Sequence, residues 1–162
     1  MMVLNLCPEI SGEDKLWRFC GIWMKNRAEW SHTLLACMHY KITAVGFYDA
    51  MSVEQVDFIL NQTEMTSVVC TPDYCKKIIQ MRKDEKAVHL KALIVTNDNK
   101  DAGLKDEAKA AGLEVHTIDE VIAAGKSGDA PEFTPPAPED FYIFSYTSGT
   151  TGDSKGVKLS HN

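Results

Sequence analysis

The 162-residue sequence lacks a long apolar run, a secretory signal and an excess of positive charge. A transmembrane helix needs about 20 apolar residues in a row, and no window comes near this length, which excludes a membrane span within these residues. Residues 1–6 are too few, and lack the basic start, for a signal peptide. Lysine and arginine total 17 against 23 aspartates and glutamates, a net charge of −6. This balance argues against a general nucleic-acid or anionic-lipid surface and leaves a local basic patch open.

The five cysteines lack the spacing of a disulfide framework or a zinc site. They stand at positions 7, 20, 37, 70 and 75, an odd number without a Cys-x-x-Cys pair, and each is in or near an apolar segment. This pattern indicates reduced thiols in an intracellular, cytoplasmic protein. His32 and His39 could share a helix face, but two histidines without thiol or carboxylate neighbours make a poor zinc site.

The sequence does have the composition of one ordinary globular domain, with 44% hydrophobic and 25% charged residues. Short apolar runs alternate with amphipathic helical patterns along most of the chain. The runs predict strands at 19–23, 43–47, 67–70, 93–95, 114–116 and 141–146. Successive βα units of this kind predict an α/β fold, with a largely parallel sheet and helices on both of its faces.

Helix starts are signalled by capping residues. Ser52 with Gln55, and Thr117 with Glu120, match the capping box, while Thr71 precedes a proline at the first helical position. A further helix is expected over residues 27–40, and a short alanine-rich one ends at Gly112. The side chains predicted to face the sheet are Trp30, Leu34, Cys37 and Met38 in the first helix, Val53, Val56, Ile59 and Leu60 in the second, and Tyr74, Ile78, Ile79 and Met81 in the third.

The pattern stops at a connector rich in proline and glycine. We therefore divide the chain into a βα portion over residues 1–124, a connector over 125–140, and a strand with a glycine-rich loop over 141–162. A connector of this length commonly crosses a surface or joins subdomains.

The loop, residues 146–156, reads Tyr-Thr-Ser-Gly-Thr-Thr-Gly-Asp-Ser-Lys-Gly and follows an apolar strand. Glycines let backbone N–H groups approach phosphate oxygens, hydroxyls add donors, and Lys155 supplies a mobile positive charge. The order of glycines and lysine fits neither the Walker A loop nor the Gly-x-Gly-x-x-Gly fingerprint. An anion site is indicated, and the alternative is a solvated linker.

The loop and its continuation, Val-Lys-Leu-Ser-His-Asn over 157–162, resemble the phosphate-loop signature of the adenylate-forming (AMP-dependent synthetase/ligase) superfamily. The match is closest to long-chain fatty acid–CoA ligases. Two upstream blocks support that subfamily: Lys-Asn-Arg-Ala-Glu-Trp over 25–30, and Ala-Val-Gly-Phe-Tyr-Asp-Ala-Met over 44–51. The likeness spans roughly residues 17–162. One departure is Ser154, where the family usually has proline.

The resemblance implies a two-step reaction. ATP would activate a long-chain fatty acid to acyl-AMP and pyrophosphate, and coenzyme A would then displace AMP. The loop would hold the β- and γ-phosphates and keep the α-phosphorus in line with the acid. The phosphate-binding residues it implies are Thr147, Ser148, Gly149, Thr150, Thr151, Gly152, Lys155 and Gly156. Thr151 or Ser148 would help to position Mg²⁺, whereas Asp153 would be repelled by the phosphates. No catalytic residue is assigned.

By the same comparison, the chain covers only part of the family's large N-terminal domain. The remainder of that domain and the C-terminal domain, with its adenylation lysine, have no counterpart in these residues, so we expect the chain alone to be inactive. The resembling enzymes are often membrane-associated, which allows the endoplasmic reticulum, the mitochondrial outer membrane or the peroxisomal membrane for a longer parent protein. Two alternatives stay open: a non-catalytic nucleotide- or partner-binding module (a pseudoenzyme), and an unrelated phosphate-binding α/β protein.

We expect Ser154→Pro to leave the melting temperature unchanged or to raise it slightly. Proline fixes φ near the value that the family's loop carries, and the substitution removes no implied phosphate contact. Differential scanning calorimetry of the two proteins tests this. A drop of several degrees would show that the backbone at position 154 does not accept proline.

Overall fold

The computed structural model of the chain describes residues 1–12, 15–97, 103–127, 131–147 and 155–162. Its strands are β1 (Ile10–Ser11), β2 (Leu16–Trp17), β3 (Phe19–Trp23), β4 (Thr43–Gly46), β5 (Ser67–Cys70), β6 (Ala92–Val95), β7 (Glu114–Thr117), β8 (Phe141–Thr147) and β9 (Lys155–Ser160). Its helices are α1 (Ala28–His39), α2 (Val53–Thr63), α3 (Pro72–Lys83), α4 (Leu104–Ala110) and α5 (Ile118–Lys126).

Seven of these strands form one sheet in the order β7-β6-β5-β3-β4-β8-β9. All neighbours from β7 to β8 pair in parallel, and β9 returns antiparallel to β8. The predicted α/β fold with a largely parallel sheet is confirmed. β9 was not predicted, although Val157 and Leu159 alternate with Gly156 and Lys158, which is a strand signal.

Two apolar layers cover the two faces of the sheet. Alternate residues of each strand point to opposite faces, so Phe19 and Trp23 join one layer while Cys20 and Ile22 join the other. Helices α2, α3 and α4 pack on the first face, which we call the α2 face. Helices α1 and α5 pack on the second, the α1 face. The prediction of helices on both faces is confirmed.

The capping boxes form as predicted. Ser52 Oγ accepts from the backbone N–H of Gln55, whose side chain accepts from the backbone N–H of Ser52. Thr117 and Glu120 do the same at the start of α5. These reciprocal bonds satisfy donors that the first helical turn leaves free. Thr71 occupies the N-cap of α3, but its side chain makes no capping bond.

The predicted inward residues are buried in α3 and, with one exception, in α2, whereas in α1 only Cys37 is buried and Trp30, Leu34 and Met38 are half-buried. Val56, Ile59 and Leu60 of α2 are in the core, as are the predicted side chains of α3. Val53 is 36% exposed, so its prediction as an inward residue is wrong. Val53 is the first residue of α2, where the chain leaves the preceding loop, and the helix packs on the sheet only from its second turn onward.

A β-bulge in β8 changes which side chains face each layer. The pairing of β8 with β9 shifts register between Phe141 and Ile143. As a result Phe141 and Phe144, an odd number of residues apart, both pack on the α2 face, where they contact the ring of Trp17. Ile143 lies on the α1 face. The bulge therefore sets the orientation of every residue from Ile143 onward.

The connector lies against the end of α1. Thr134 N–H donates to the carbonyl of His39, and the Tyr40 hydroxyl donates to the carbonyl of Pro131. Asp140 accepts from the backbone N–H of Ala137 and pairs with a lysine, contacts that lower the pKa of its carboxyl group. Helix α5 continues to Lys126, two residues past the expected end of the βα portion at residue 124. The division of the chain at residues 125 and 140 stays a prediction.

All five cysteines are free and buried. Cys7 Sγ lies 3.3 Å from Ser67 Oγ, and Cys20 Sγ lies 3.8 Å from the sulfur of Met1. Contact with Cys20, together with burial, raises the pKa of Cys7 well above its usual value. Within the described parts of the chain, no helix has both the length and the hydrophobicity needed to cross a bilayer.

We expect Gly21→Ala to lower the free energy of unfolding by about 1–3 kcal/mol, because overpacking strains a tight core. A Cβ at position 21 would lie 2.8 Å from Val68 Cγ2 and 2.9 Å from Phe47 Cε2. The matched control is Gly125→Ala in α5, where a Cβ would meet nothing within 4 Å. That change should raise stability by about 0.5 kcal/mol. Urea denaturation measures both, and equal effects would contradict the packing argument.

Candidate phosphate-binding site

The carboxyl ends of the parallel strands bring polar residues to one edge of the sheet. Lys25 and Asn26 follow β3, Tyr48 follows β4, Thr71 follows β5, and Thr147 is the last residue of β8. Open α/β sheets bind ligands in the crevice outside this edge, especially where the strand order changes direction. Here the order changes at β3, since β4 lies on one side of it and β5 on the other.

Three of the predicted phosphate-binding residues are within the described part of the chain. Thr147 pairs with Lys155, and Tyr146 pairs with Gly156, at the base of the β8–β9 hairpin. Thr147, Lys155 and Gly156 are exposed. Directly opposed residues of an antiparallel pair have Cα atoms roughly 5 Å apart, so the two ends of the motif lie side by side. These three residues are therefore at the carboxyl end of β8.

The remaining predicted residues lie outside the described ranges. They are Ser148, Gly149, Thr150, Thr151 and Gly152, together with Asp153 and Ser154. The two Mg²⁺-positioning hydroxyls, of Ser148 and Thr151, are among them. The described residues include no cluster of three or more histidines, cysteines or carboxylates that could hold a metal ion. The roles of these residues stay predictions.

A cleft of about 630 Å³ opens on the α1 face at the carboxyl edge. Its wall includes Tyr48 and Ser145, whose hydroxyl oxygens are 3.0 Å apart. Partners across a β-ladder share a face, so Thr147 and Lys155 lie on the same side of the sheet as Ser145. The other lining residues are Met24, Lys25, Asn26, Trp30, Gly46, Phe47, Asp49, Ile143 and Phe144. The cleft is thus beside the base of the motif.

A second, more polar cleft of about 450 Å³ lies at the change in strand order. It is lined by Lys25, Arg27, Asp49, Thr71, Pro72, Asp73, Tyr74 and Lys77. Arg27 and Glu29 form a bidentate pair at 2.7 and 2.8 Å. Lys25 lies 3.5 Å from Asp49, but both side chains are more than half exposed, so this pair adds little stability. Charges of both signs and the N-terminus of α3 suit a polar ligand.

The residues of these clefts were not predicted as site residues. Lys25, Asn26, Tyr48 and Asp49 were noted only as parts of blocks that resemble the family. Their position directly after a predicted parallel strand is the signal that could have found them. The contact of Tyr48 with Ser145 joins the segment after β4 to β8 across 97 residues of sequence, and a local sequence pattern does not predict such a contact.

Tyr146 fixes the base of the hairpin from the α2 face. Its side chain is 3% exposed, and its hydroxyl donates to Gln62 Oε1 of α2 at 2.8 Å. Burial raises the pKa of the phenol to about 12, so the hydroxyl stays protonated and remains a donor at neutral pH. A Cβ at Gly156 would lie 3.1 Å from Tyr146 Cζ, the ring carbon that carries the hydroxyl.

The fold and this edge define a class. It has a mostly parallel α/β sheet, with a lysine and a threonine paired at the base of a glycine- and hydroxyl-rich segment, an arrangement whose chemistry suits phosphate. The chain belongs to the AMP-binding enzyme family, whose model matches residues 16–162. The family resemblance seen in the sequence is therefore confirmed.

Curated relatives include long-chain-fatty-acid–CoA ligase 5 of Rattus norvegicus, 33% identical over 145 residues. That match covers 89% of this chain and 21% of the relative. The peroxisomal acyl-CoA ligase 891 of Penicillium roqueforti is 31% identical over 151 residues, with 87% and 21% covered. The chain spans about a fifth of the length of these relatives.

Solved structures share the fold. The adenylation domain of a Mycobacterium chelonae carboxylate reductase superposes with a TM-score of 0.73 at 19% identity, over 88% of this chain and 24% of that one. A red-emitting luciferase of Phrixothrix hirtus gives a TM-score of 0.65 at 22% identity, over 88% and 33%. At these identities the likeness shows the architecture alone.

We expect the free energy of unfolding of the wild type to fall, relative to that of Tyr146→Phe, as the pH rises from 10 to about 12. The unfolded phenol ionises near pH 10, whereas the folded one ionises near 12, so the unfolded state loses its proton first and is favoured. Below pH 10 the difference between the two proteins should be constant. Urea denaturation across this range measures it, and parallel pH curves would contradict the assignment.

Proposed function

We propose that this chain provides part of the ATP-binding site of a long-chain fatty acid–CoA ligase, an acid–thiol ligase. In that reaction ATP activates the fatty acid as acyl-AMP with release of pyrophosphate, and coenzyme A then takes the acyl group. The pairing of Thr147 with Lys155 at the carboxyl end of β8 is the observation that carries the proposal. It supports a phosphate site at the edge where this class of sheet binds ligands.

The proposed role of the chain is to hold and neutralise the phosphates. Lys155 is exposed at the start of β9, on a strand fixed to β8 by the antiparallel ladder. An ammonium group held there favours the charge that builds up on departing pyrophosphate more than it favours the bound ATP. Thr147 would donate its hydroxyl to a phosphate oxygen, and the backbone of Gly156 is proposed as a further phosphate contact.

Mg²⁺ would arrive with ATP, and the hydroxyls of Ser148 and Thr151 are the proposed groups that position it. Hydroxyl oxygens are hard ligands of the kind that Mg²⁺ accepts alongside phosphate and water. The ion would supply charge neutralisation for the phosphates. Coenzyme A is proposed as the second substrate because curated relatives are named as CoA ligases.

The proposed fatty acid rests on the relatives' names, and the proposed compartment rests on those names and on the family resemblance seen in the sequence. Several are named long-chain-fatty-acid–CoA ligases, and three are named peroxisomal. We propose a long-chain fatty acid as the substrate and, for a longer parent protein, association with a membrane of the endoplasmic reticulum, mitochondrion or peroxisome. No membrane-crossing helix and no nucleic-acid partner is proposed for these residues.

The direct test is fatty-acid-dependent exchange of labelled pyrophosphate into ATP. A protein that carries this exchange is an adenylating enzyme. Binding of ATP without exchange would favour the non-catalytic module instead, and absence of ATP binding would contradict the phosphate site itself. Detection of the endogenous polypeptide with an antibody to this segment complements the assay. A mass well above 18.0 kDa would place the segment within a longer enzyme.

We expect Lys155→Ala to weaken pyrophosphate binding about 10-fold or more, the usual cost of losing a charge-assisted contact. In an exchange-competent protein it should slow adenylation more than it weakens fatty acid binding. Isothermal titration calorimetry with pyrophosphate measures the affinity, and pyrophosphate exchange measures the rate.

The matched control is Lys158→Ala on the same strand. Lys158 Nζ lies over the rings of Trp17, Phe141 and Phe144 at 5.4–6.0 Å, so it faces the α2 face rather than the proposed site. Its loss should leave pyrophosphate affinity nearly unchanged. Equal losses in the two variants would indicate a general charge effect, and an unchanged Lys155→Ala protein would remove this lysine from the mechanism.

A further inference from the structure

The base of the β8–β9 hairpin is fixed by one aromatic side chain. Strand β9 pairs with β8 alone among the described strands, and all of its residues before Ser160 are exposed. It therefore gains little from apolar burial. At the end of β9 that carries Lys155, its described contacts are the ladder to β8 and the ring of Tyr146 beside Gly156.

We propose that Tyr146 is a positioning residue for Thr147 and Lys155, acting as a clamp between Gln62 of α2 and Gly156 of β9. The inference rests on the proposed phosphate site. Tyr146 and Gly156 are the cross-strand pair next to Thr147 and Lys155. A shift of the Tyr146 ring would therefore also displace Thr147 and Lys155. The side chain of Tyr146 is on the α2 face, opposite the side chains of Thr147 and Lys155, so Tyr146 itself is not proposed to contact phosphate.

Three observations distinguish this clamp from ordinary core packing. Phe144, two residues earlier on the same face, fills the core without a hydroxyl, so apolar packing there does not require tyrosine. The buried hydroxyl of Tyr146 donates to Gln62, an exposed side chain for which the described residues show no other hydrogen bond. Finally, the ring lies across position 156 so closely that any Cβ would press on the carbon bearing the hydroxyl.

The clamp makes α2 a support for the site. Helix α2 is packed into the core through Val56, Ile59 and Leu60, which are 0–1% exposed. The hydrogen bond from Tyr146 to Gln62 ties the hairpin to this rigid element, 84 residues away in sequence. A lysine whose strand is held by packed neighbours is preorganised for its ligand, whereas a loosely held lysine is not.

The test compares Tyr146→Phe, which removes only the hydroxyl, with two changes of its partner. Gln62→Met removes the acceptor at similar length, and Gln62→Glu retains an acceptor oxygen. The control is Tyr40→Phe, which also deletes one hydroxyl and one hydrogen bond, to Pro131, far from the hairpin in sequence. We expect about 3- to 10-fold weaker pyrophosphate binding for Tyr146→Phe and Gln62→Met, and near wild-type binding for the other two.

Two further readouts separate positioning from stability. Hydrogen exchange at the amides of residues 155–158 should speed up several-fold in Tyr146→Phe and Gln62→Met, with no change in Tyr40→Phe. In a Lys155→Ala background, Tyr146→Phe should cost less affinity than it does in the wild type, because one of the two groups that it positions is gone. If Tyr146→Phe folds poorly, the comparison of Gln62→Glu with Gln62→Met still tests the inference, because only Gln62→Glu keeps an acceptor for the Tyr146 hydroxyl.

The outcomes differ for the proposal and for the inference. If the wild type binds no pyrophosphate, the phosphate site fails and the clamp falls with it. If the wild type binds and Tyr146→Phe binds equally well, only the clamp is overturned. Equal additional losses with and without Lys155 would show that Tyr146 acts on the fold in general, and would also overturn it.

Discussion

The parallel pairing of β8 with β4 is the constraint on which the site depends. After β7 the chain leaves one edge of the sheet, passes through α5 and the connector, and returns beside β4, with Val45 opposite Phe144 and Gly46 opposite Ser145. This long return brings the glycine-rich motif to the edge that already carries Lys25 and Tyr48. The contact between Tyr48 and Ser145 and the hydrogen bond from Thr43 Oγ1 to the carbonyl of Phe141 exist only because of it.

The two faces of the sheet carry different kinds of side chain at this edge. The α1 face carries the hydroxyls of Ser145 and Thr147 and the ammonium group of Lys155, beside an open cleft. The α2 face carries stacked aromatic rings, in which Trp17 contacts Phe19, Phe141 and Phe144 at centroid distances of 5.3–5.6 Å. The polar face can meet a charged ligand because the aromatic face supplies the apolar burial that holds β8 in place.

Local chemistry made much of the fold predictable. Capping boxes at Ser52 and Thr117, and apolar runs such as Ser67–Cys70, act within a few residues, so their outcome does not depend on the rest of the chain. The misses are of a different kind. Val53 follows the helical period but stands at a helix end, and β9 becomes a strand only because β8 is there to pair with it. The bond from Tyr146 to Gln62 and the two clefts are products of the tertiary fold, which a motif search does not report.

The bulge between Phe141 and Ile143 has a consequence for how this region tolerates insertions and deletions. Side chains alternate along a strand, so losing one residue anywhere between the bulge and the motif would turn Tyr146 toward the cleft and Thr147 toward the aromatic rings. A bulge can absorb such a change, since gaining or losing its extra residue restores the phase downstream. A change in the length of β8 can thus be compensated at the bulge, which precedes Tyr146 and Thr147, the two residues whose orientation matters for the proposed phosphate site.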